Sequence, residues 1–274
     1  MSKNVIAICY DFDKTLATDD MQAFSFIPNL GLTSEEFWAK TGEFSKATGT
    51  ESILSYLHCM ITECKKKGIK LTKEYLRNLG KDVKFYDGVT TWFKRLNSFA
   101  QEKGITLEHY IISSGNKEII EGSSISKEFK AIYGCEFLYN EEGEAYWPKC
   151  TINYTLKTQY LFRIVKGVFD QTDDKNVNQR KDEKHVEFRN IIYLGDGLTD
   201  IPCMTLVKEK GGKSIAVYQP HKKDKVMPLL EENRVNYICE SNFRASSQME
   251  KLVKLILESM SLTNQLLEKE SHQY

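Results

Sequence analysis

Residues 5–15 read Val5-Ile-Ala-Ile-Cys-Tyr-Asp11-Phe-Asp13-Lys-Thr15, an unbroken apolar run that meets two carboxylates two positions apart. The run is too short for a helix of ordinary length and shows no polar alternation. This is the pattern of a strand buried on both faces of a parallel sheet. If extended geometry persists beyond Tyr10, the side chains of Asp11 and Asp13 project to the same face.

The same arrangement recurs along the chain. His109-Tyr-Ile-Ile112 runs into Ser113-Ser-Gly115, and Asn190-Ile-Ile-Tyr-Leu194 runs into Gly195-Asp-Gly197. Ser214-Ile-Ala-Val-Tyr218 and Tyr237-Ile-Cys239 are two further runs. Most end in Gly, Asp, Ser or Pro, so polar residues gather beyond strand C-termini, where open parallel sheets place their ligand crevice. Between the runs, residues 88–103, 155–166 and 246–268 carry apolar residues at spacings of three and four, which predicts helices. Asp87-Gly88 supplies a turn or cap before the first of these. Strand–helix alternation predicts an α/β fold, a doubly wound and mostly parallel, Rossmann-like sheet.

Residues 17–85 break the alternation, with helical patterns over 34–44 and 51–67 but no convincing strand. The chain is therefore expected to divide into a core of residues 1–16 and 86–274 and a small helical cap of residues 17–85, inserted after the first strand. A cap in that position excludes water and selects substrates. Residues 136–147 predict a hairpin with a Glu-Glu-Gly loop. The charged stretch 170–184 is expected to be a mobile surface excursion.

Lysine plus arginine and aspartate plus glutamate both number 38, and 41% of residues are hydrophobic. A balanced charge offers no global field toward nucleic acid or anionic lipid, so neither is expected as a partner. A phosphate-bearing ligand must then be held by a local site. The seven cysteines are odd in number and lack the CxxC spacing of a metal or redox motif. They predict reduced thiols in a cytoplasmic protein, and the N-terminal apolar run is too short for a membrane span. The five histidines, His58, His109, His185, His221 and His272, show no ligand spacing and are expected to be structural or exposed.

Paired carboxylates such as Asp11 and Asp13 need a cation, because like charges held close raise one pKa strongly. Mg²⁺ suits them, since it prefers oxygen ligands and grips substrate phosphate while keeping waters. Asp196-Gly-Leu-Thr-Asp200 follows another buried run and offers further carboxylates to such a metal. Ser113 lies at a third strand end, where its hydroxyl and the amides of Ser114 and Gly115 suit phosphate oxygens. Lys157 opens a helix and brings a positive charge. Four separated segments thus supply a nucleophile, an acid/base, a metal site and anion ligands.

In that order and spacing the chain resembles the haloacid dehalogenase superfamily over roughly residues 5–240. Tyr-Asp11-Phe-Asp13-Lys-Thr15-Leu is similar to its first motif, Ile-Ile-Ser113-Ser-Gly to its second, Lys157 to its third and Gly-Asp196-Gly-Leu-Thr-Asp200 to its fourth. The insertion resembles the type 1 cap, and the layout is similar to the phosphoserine phosphatase-like branch. The resemblance implies a Mg²⁺-dependent phosphatase acting on a small-molecule phosphate monoester. In it Asp11 attacks phosphorus and Asp13 is the general acid and base. Ser113, Ser114, Gly115 and Lys157 bind phosphate. Asp11, Asp196, the backbone carbonyl of Asp13 and, directly or as an orienting group, Asp200 serve the metal. Asp13 favours phosphate esters over carbon–halogen bonds, because an alkoxide needs a proton and a halide does not.

Phosphoserine phosphatases grip the amino-acid end of their substrate with an early glutamate and a cap arginine. The comparable early acid here is Asp20, a candidate specificity residue one methylene shorter, and Arg77 is the insertion's arginine. The aromatics Phe24, Phe26, Trp38, Phe44 and Tyr56 belong either to the cap core or to a substrate pocket. A phosphotransferase on the same fold is an alternative that differs only in acceptor binding. A phospho-acceptor signalling module is a further alternative, and Asp13 argues against it as a built-in base for hydrolysis.

Overall fold

The computed structural model describes residues 4–180, 184–271 and 273. Its centre is β1 (Val5–Tyr10), which is buried at every position. Six more strands follow: β2 (Thr106–Asn116), β3 (Ala131–Tyr139), β4 (Ala145–Cys150), β5 (Ile191–Gly195), β6 (Lys213–Tyr218) and β7 (Tyr237–Glu240). They form one sheet in the order β4-β3-β2-β1-β5-β6-β7. Every pairing is parallel except β3 with β4. The chain leaves β1 for β2 on one side and returns to β5 on the other. The C-terminal end of β1 is therefore the switch point at which such sheets open a crevice, and Asp11 is the next residue.

The helices between β1 and β2 are α1 (Met21–Phe24), α2 (Phe26–Asn29), α3 (Ser34–Thr48), α4 (Ser52–Lys67), α5 (Lys73–Leu79) and α6 (Val89–Glu102). Helix α3 starts on a capping box, with Thr33 accepting from the Glu36 amide and Glu36 accepting from the Thr33 amide. Helix α4 starts on the Glu51 carboxylate, which accepts from the Ile53 and Leu54 amides, and stops at Gly68 in the left-handed region. An isolated bridge between Ala17 and Phe85 ties the two ends of this helical segment together. Helix α6 turns Val89, Trp92, Phe93 and Leu96 into the core, the face that its spacing predicts.

The remaining helices are α7 (Lys117–Gly122), α8 (Tyr154–Lys166), α9 (Asp174–Asn178), α10 (Ile201–Glu209), α11 (Met227–Glu231) and α12 (Gln248–Ser271). Helix α9 departs from expectation, because it lies in the charged stretch read as a mobile excursion. Buried Arg163 donates to the carbonyls of Asp170 and Gln171, and Asp173 caps the helix. Those bonds link the stretch to α8, a tie that composition does not disclose. Residues 181–183 of that stretch, and His272, lie outside the described residues.

Several buried polar groups beside β1 are partnered. Trp92 Nε1 donates to Tyr10 Oη at 3.0 Å, and Tyr10 Oη faces His109 Nδ1 at 3.0 Å. His109 Nε2 lies 3.0 Å from the Asn97 amide oxygen, which assigns the proton to Nε2. Burial pushes the His109 pKa down to about 3, so the ring is neutral and structural. All seven cysteines are free thiols, and six are buried.

The helical segment after β1 packs on α7 with backbone against backbone. A Cβ on Gly122 would lie 1.8 Å from the Arg77 carbonyl oxygen, and neither chain has a flexible end that can yield. Gly122→Ala is therefore expected to cost about 1–3 kcal/mol. Gly42, inside α3 with nothing within 4 Å of its would-be Cβ, should respond in the opposite sense, gaining up to about 1 kcal/mol as alanine. Thermal unfolding of the two variants checks the pair of signs.

Candidate active site

Asp11 stays on the ladder of the sheet, its amide donating to the Leu194 carbonyl at 2.8 Å. Its carboxylate thus sits rigidly at the mouth of the β1–β5 seam, with Asp11 only 5% exposed. The chain then turns, and Lys14 adopts the left-handed region at φ 56°. That turn brings Asp13 over the sheet end, where its Oδ1 accepts from the Met21 amide at 2.8 Å.

Lys157 decides how the site is wired. It lies in the first turn of α8, is 0% exposed, and donates to Asp11 Oδ1 at 2.9 Å and to Asp200 Oδ1 at 2.8 Å. Asp200 Oδ1 also accepts from Tyr193 Oη at 2.7 Å, and Oδ2 from the Gly197 amide at 3.3 Å. A Cβ at Gly195 would come within 2.5 Å of the Asp200 carboxyl carbon. Glycine there is what lets that carboxylate lie across the strand end. Asp11, Asp196 and Asp200 place carboxylate oxygens within 4.8 Å of one another.

One ammonium cannot balance this much negative charge. Burial, with Asp200 beside it, pushes Asp11 up to about 7 despite the contact with Lys157. Burial, then Asp11 and Asp200, pushes Asp196 up to about 8. Burial followed by the charges of Asp20 and Asp11 holds Asp13 well above the usual carboxylate range. Burial alone would lower the Lys157 pKa, but its two carboxylates outweigh that and raise it. A dication would relieve this excess charge, and three converging carboxylates are an oxygen donor set suited to Mg²⁺.

A cavity of about 440 Å³ opens over these groups, within the usual size of small-molecule sites. Asp11, Asp13, Lys14, Asp20, Ser113, Ser114, Gly115 and Asp196 all line it. Ser113 Oγ accepts from the Gly115 amide at 3.0 Å. That amide is therefore engaged in the chain, while the Ser113 hydroxyl proton remains to donate. Ser114 Oγ is buried without a partner. Lys157 and Asp200 stand behind the cavity wall and are not among its lining residues.

The aromatics of the insertion divide. Trp38 and Tyr56 line the cavity. Phe26 is buried, and Phe44 stacks on His58. Asp20 faces the cavity but is held by Lys14 at 2.7 Å. Arg77 pairs with Glu121 and does not line the cavity.

Three features escaped sequence reading. Tyr193 holds Asp200 from inside β5, and a tyrosine in an otherwise aliphatic buried strand, which needs a polar partner, was its signal. Tyr56 Oη donates to the Ser114 carbonyl at 2.7 Å, and Gln22 Nε2 donates to Asn116 Oδ1 at 3.0 Å. Both tie the helical segment to β2 from positions whose sequence context carries no such signal.

No family model matches the chain. An uncharacterized protein of Borreliella burgdorferi is 27% identical over 290 residues, covering 95% of this chain and 98% of the relative. Among solved structures, a HAD family hydrolase from Salmonella enterica serovar Typhi superposes with a TM-score of 0.58 at 17% identity, over 93% of this chain and 72% of that one. A phosphoserine phosphohydrolase-like protein from Francisella tularensis gives 0.53 at 19% identity, over 92% and 99%. A phospho-aspartyl intermediate analogue of phosphoserine phosphatase gives 0.53 at 17% identity, over 93% and 99%. The chain therefore has the α/β fold of the haloacid dehalogenase-type hydrolases, phosphoserine phosphatases among them.

Proposed function

We propose that this protein is a Mg²⁺-dependent phosphatase that hydrolyses a small-molecule phosphate monoester through an aspartyl-phosphate on Asp11. The observation that carries the reading is the convergence of Asp11, Asp196 and Asp200 within 4.8 Å, with Lys157 bonded to two of them, beside a ligand-sized cavity. Residues 17–85 serve as the cap over a core of residues 1–16 and 86–274.

Mg²⁺ would be held by Asp11, Asp196 and the Asp13 carbonyl, and when bound it supplies positive charge against the phosphate oxygens. Asp200 is committed to Lys157, Tyr193 and the Gly197 amide, so it acts chiefly by orienting the lysine. Asp11 attacks phosphorus as the P–O bond to the alcohol breaks, and Asp13 gives its proton to the departing alkoxide. Water then attacks the aspartyl-phosphate, Asp13 takes the water proton, and inorganic phosphate leaves as Asp11 is regenerated. Burial and the charges of Asp20 and Asp11 raise the Asp13 pKa, which favours the proton donor that the first step needs. Ser113 and Ser114 donate to phosphate oxygens, and Lys157 balances charge from behind Asp11.

Metal and pH should act together. Burial and neighbouring carboxylates push Asp11 up to about 7 and Asp196 up to about 8, above their unfolded values. The native state then binds more protons than the unfolded state between about pH 4 and about pH 8, so metal-free stability falls as pH rises across that window. Mg²⁺ competes with those protons. The rise in melting temperature on adding millimolar Mg²⁺ is expected to be larger at about pH 8 than at about pH 6, reaching several degrees. Chelation is expected to abolish turnover of an aryl phosphate. Turnover that survives exhaustive chelation, or a Mg²⁺-induced shift that shrinks with rising pH, would contradict the proposed metal site.

A further inference from the structure

The alcohol that leaves must be accommodated by the rest of the cavity lining, which includes Trp38, Thr41, Ser52, Ile53, Tyr56 and Tyr154. Among the described residues Lys14 is the one cation on the lining. Its ammonium is already engaged by Asp20 at 2.7 Å and by Asp19 at 3.8 Å. Three of the wall hydroxyls are also committed within the chain. Thr41 Oγ1 donates to the Trp38 carbonyl at 2.8 Å, Ser52 Oγ to Glu51 at 3.1 Å, and Tyr56 Oη to the Ser114 carbonyl at 2.7 Å.

What these walls offer is mainly ring and aliphatic surface. Trp38 and Ile53 are half-buried, and the Tyr154 ring is 44% exposed. A carboxylate or second phosphate on the alcohol would have to enter beside Asp13 and Asp20 and lose water with no free cation to receive it. That loss is uncompensated. An aromatic or apolar face meets no such penalty and gains contact with Trp38 and Tyr154.

Resting on the phosphatase reading above, we propose that the alcohol of the substrate carries no negative charge and lays an aromatic or apolar face against Trp38, Ile53 and Tyr154. Asp20 then acts on specificity chiefly by exclusion, since it occupies Lys14 and adds its own charge against anionic alcohols.

The test compares kcat/KM, with Mg²⁺ present, for benzyl phosphate and a nucleoside 5′-monophosphate against phosphoserine and a sugar bisphosphate. All of these release alkyl alcohols, so leaving-group reactivity does not decide the comparison. The uncharged alcohols are expected to be favoured by about a hundredfold or more. Trp38→Ala is expected to raise KM for benzyl phosphate about tenfold with kcat little changed, and Ile53→Arg to raise kcat/KM for phosphoserine about tenfold. Equal or better turnover of phosphoserine or the bisphosphate by the unmodified protein overturns the inference while leaving the phosphatase reading intact. If no ester of the panel, nor an aryl phosphate, releases phosphate, the phosphatase reading falls and this inference with it. The unmodified-protein comparison stands even if a variant fails to fold.

Discussion

Asp11→Asn is expected to lower kcat for an aryl phosphate by about 10⁴-fold or more, the scale on which loss of a covalent nucleophile is felt. Asparagine keeps the shape of the side chain and an oxygen that can accept from Lys157. The fold should therefore persist. The substitution also removes one negative charge from a cluster in which Asp11, Asp196 and Asp200 face a single ammonium. In the absence of metal the variant should melt at or above the temperature of the unmodified protein. Activity would then fall while stability holds or rises, a separation that a merely structural aspartate would not give. Steady-state assays and thermal unfolding on the same preparations check it, and turnover within tenfold of the unmodified protein would remove Asp11 from the role assigned to it.

Lys157→Met should show the converse pattern, with stability lost as well as activity. The ammonium is fully buried and bonds two carboxylates whose side chains are 8% and 0% exposed. Methionine fills a similar volume but leaves both carboxylates buried without their cation. Breaking a buried pair from one side costs about 3–5 kcal/mol, which for a chain of this size corresponds to a fall in melting temperature on the order of 10 °C. Because the penalty comes from the stranded charge, adding Asp200→Asn to Lys157→Met should recover part of the loss. The double variant would then be more stable than the sum of the single effects. Mg²⁺ should also stabilise Lys157→Met more than it stabilises the unmodified protein. A Lys157→Met protein that melts within a degree or two of the parent would show that the lysine adds little to the electrostatic balance of the site.

These two residues illustrate what was legible in the chain. Asp11 and Asp13 alone read as a turn after a strand, and it is the order of Ser113, Lys157, Asp196 and Asp200 behind them that makes Asp11 legible. Lys157 by itself does not stand out, since a lysine near the start of a helix is ordinarily solvated. Its partner Asp11 is 146 positions away, and Asp200 reaches it only because Gly195 leaves room for the carboxyl. Helix α9 carries the same lesson in reverse. Its composition reads as a mobile surface excursion, yet Arg163 on α8 holds the preceding turn by its carbonyls.

Legible along the chain were the buried runs of β1, β2, β5, β6 and β7, the longer helices, the doubly wound class, and Asp11 and Asp196 just past strand ends; Ser113, read as lying past one, falls within β2. The legible features follow from periodicity and from the character of neighbouring residues, which are local properties of a chain. Which charges meet was settled in three dimensions. The fold set Lys157 between Asp11 and Asp200, folded Lys14 onto Asp20, left Arg77 with Glu121, and chose Trp38 and Tyr56 from the insertion's aromatics to face the cavity. Electrostatic energy depends on distance through space and on access to water, and neither quantity is written in the spacing of residues along the chain.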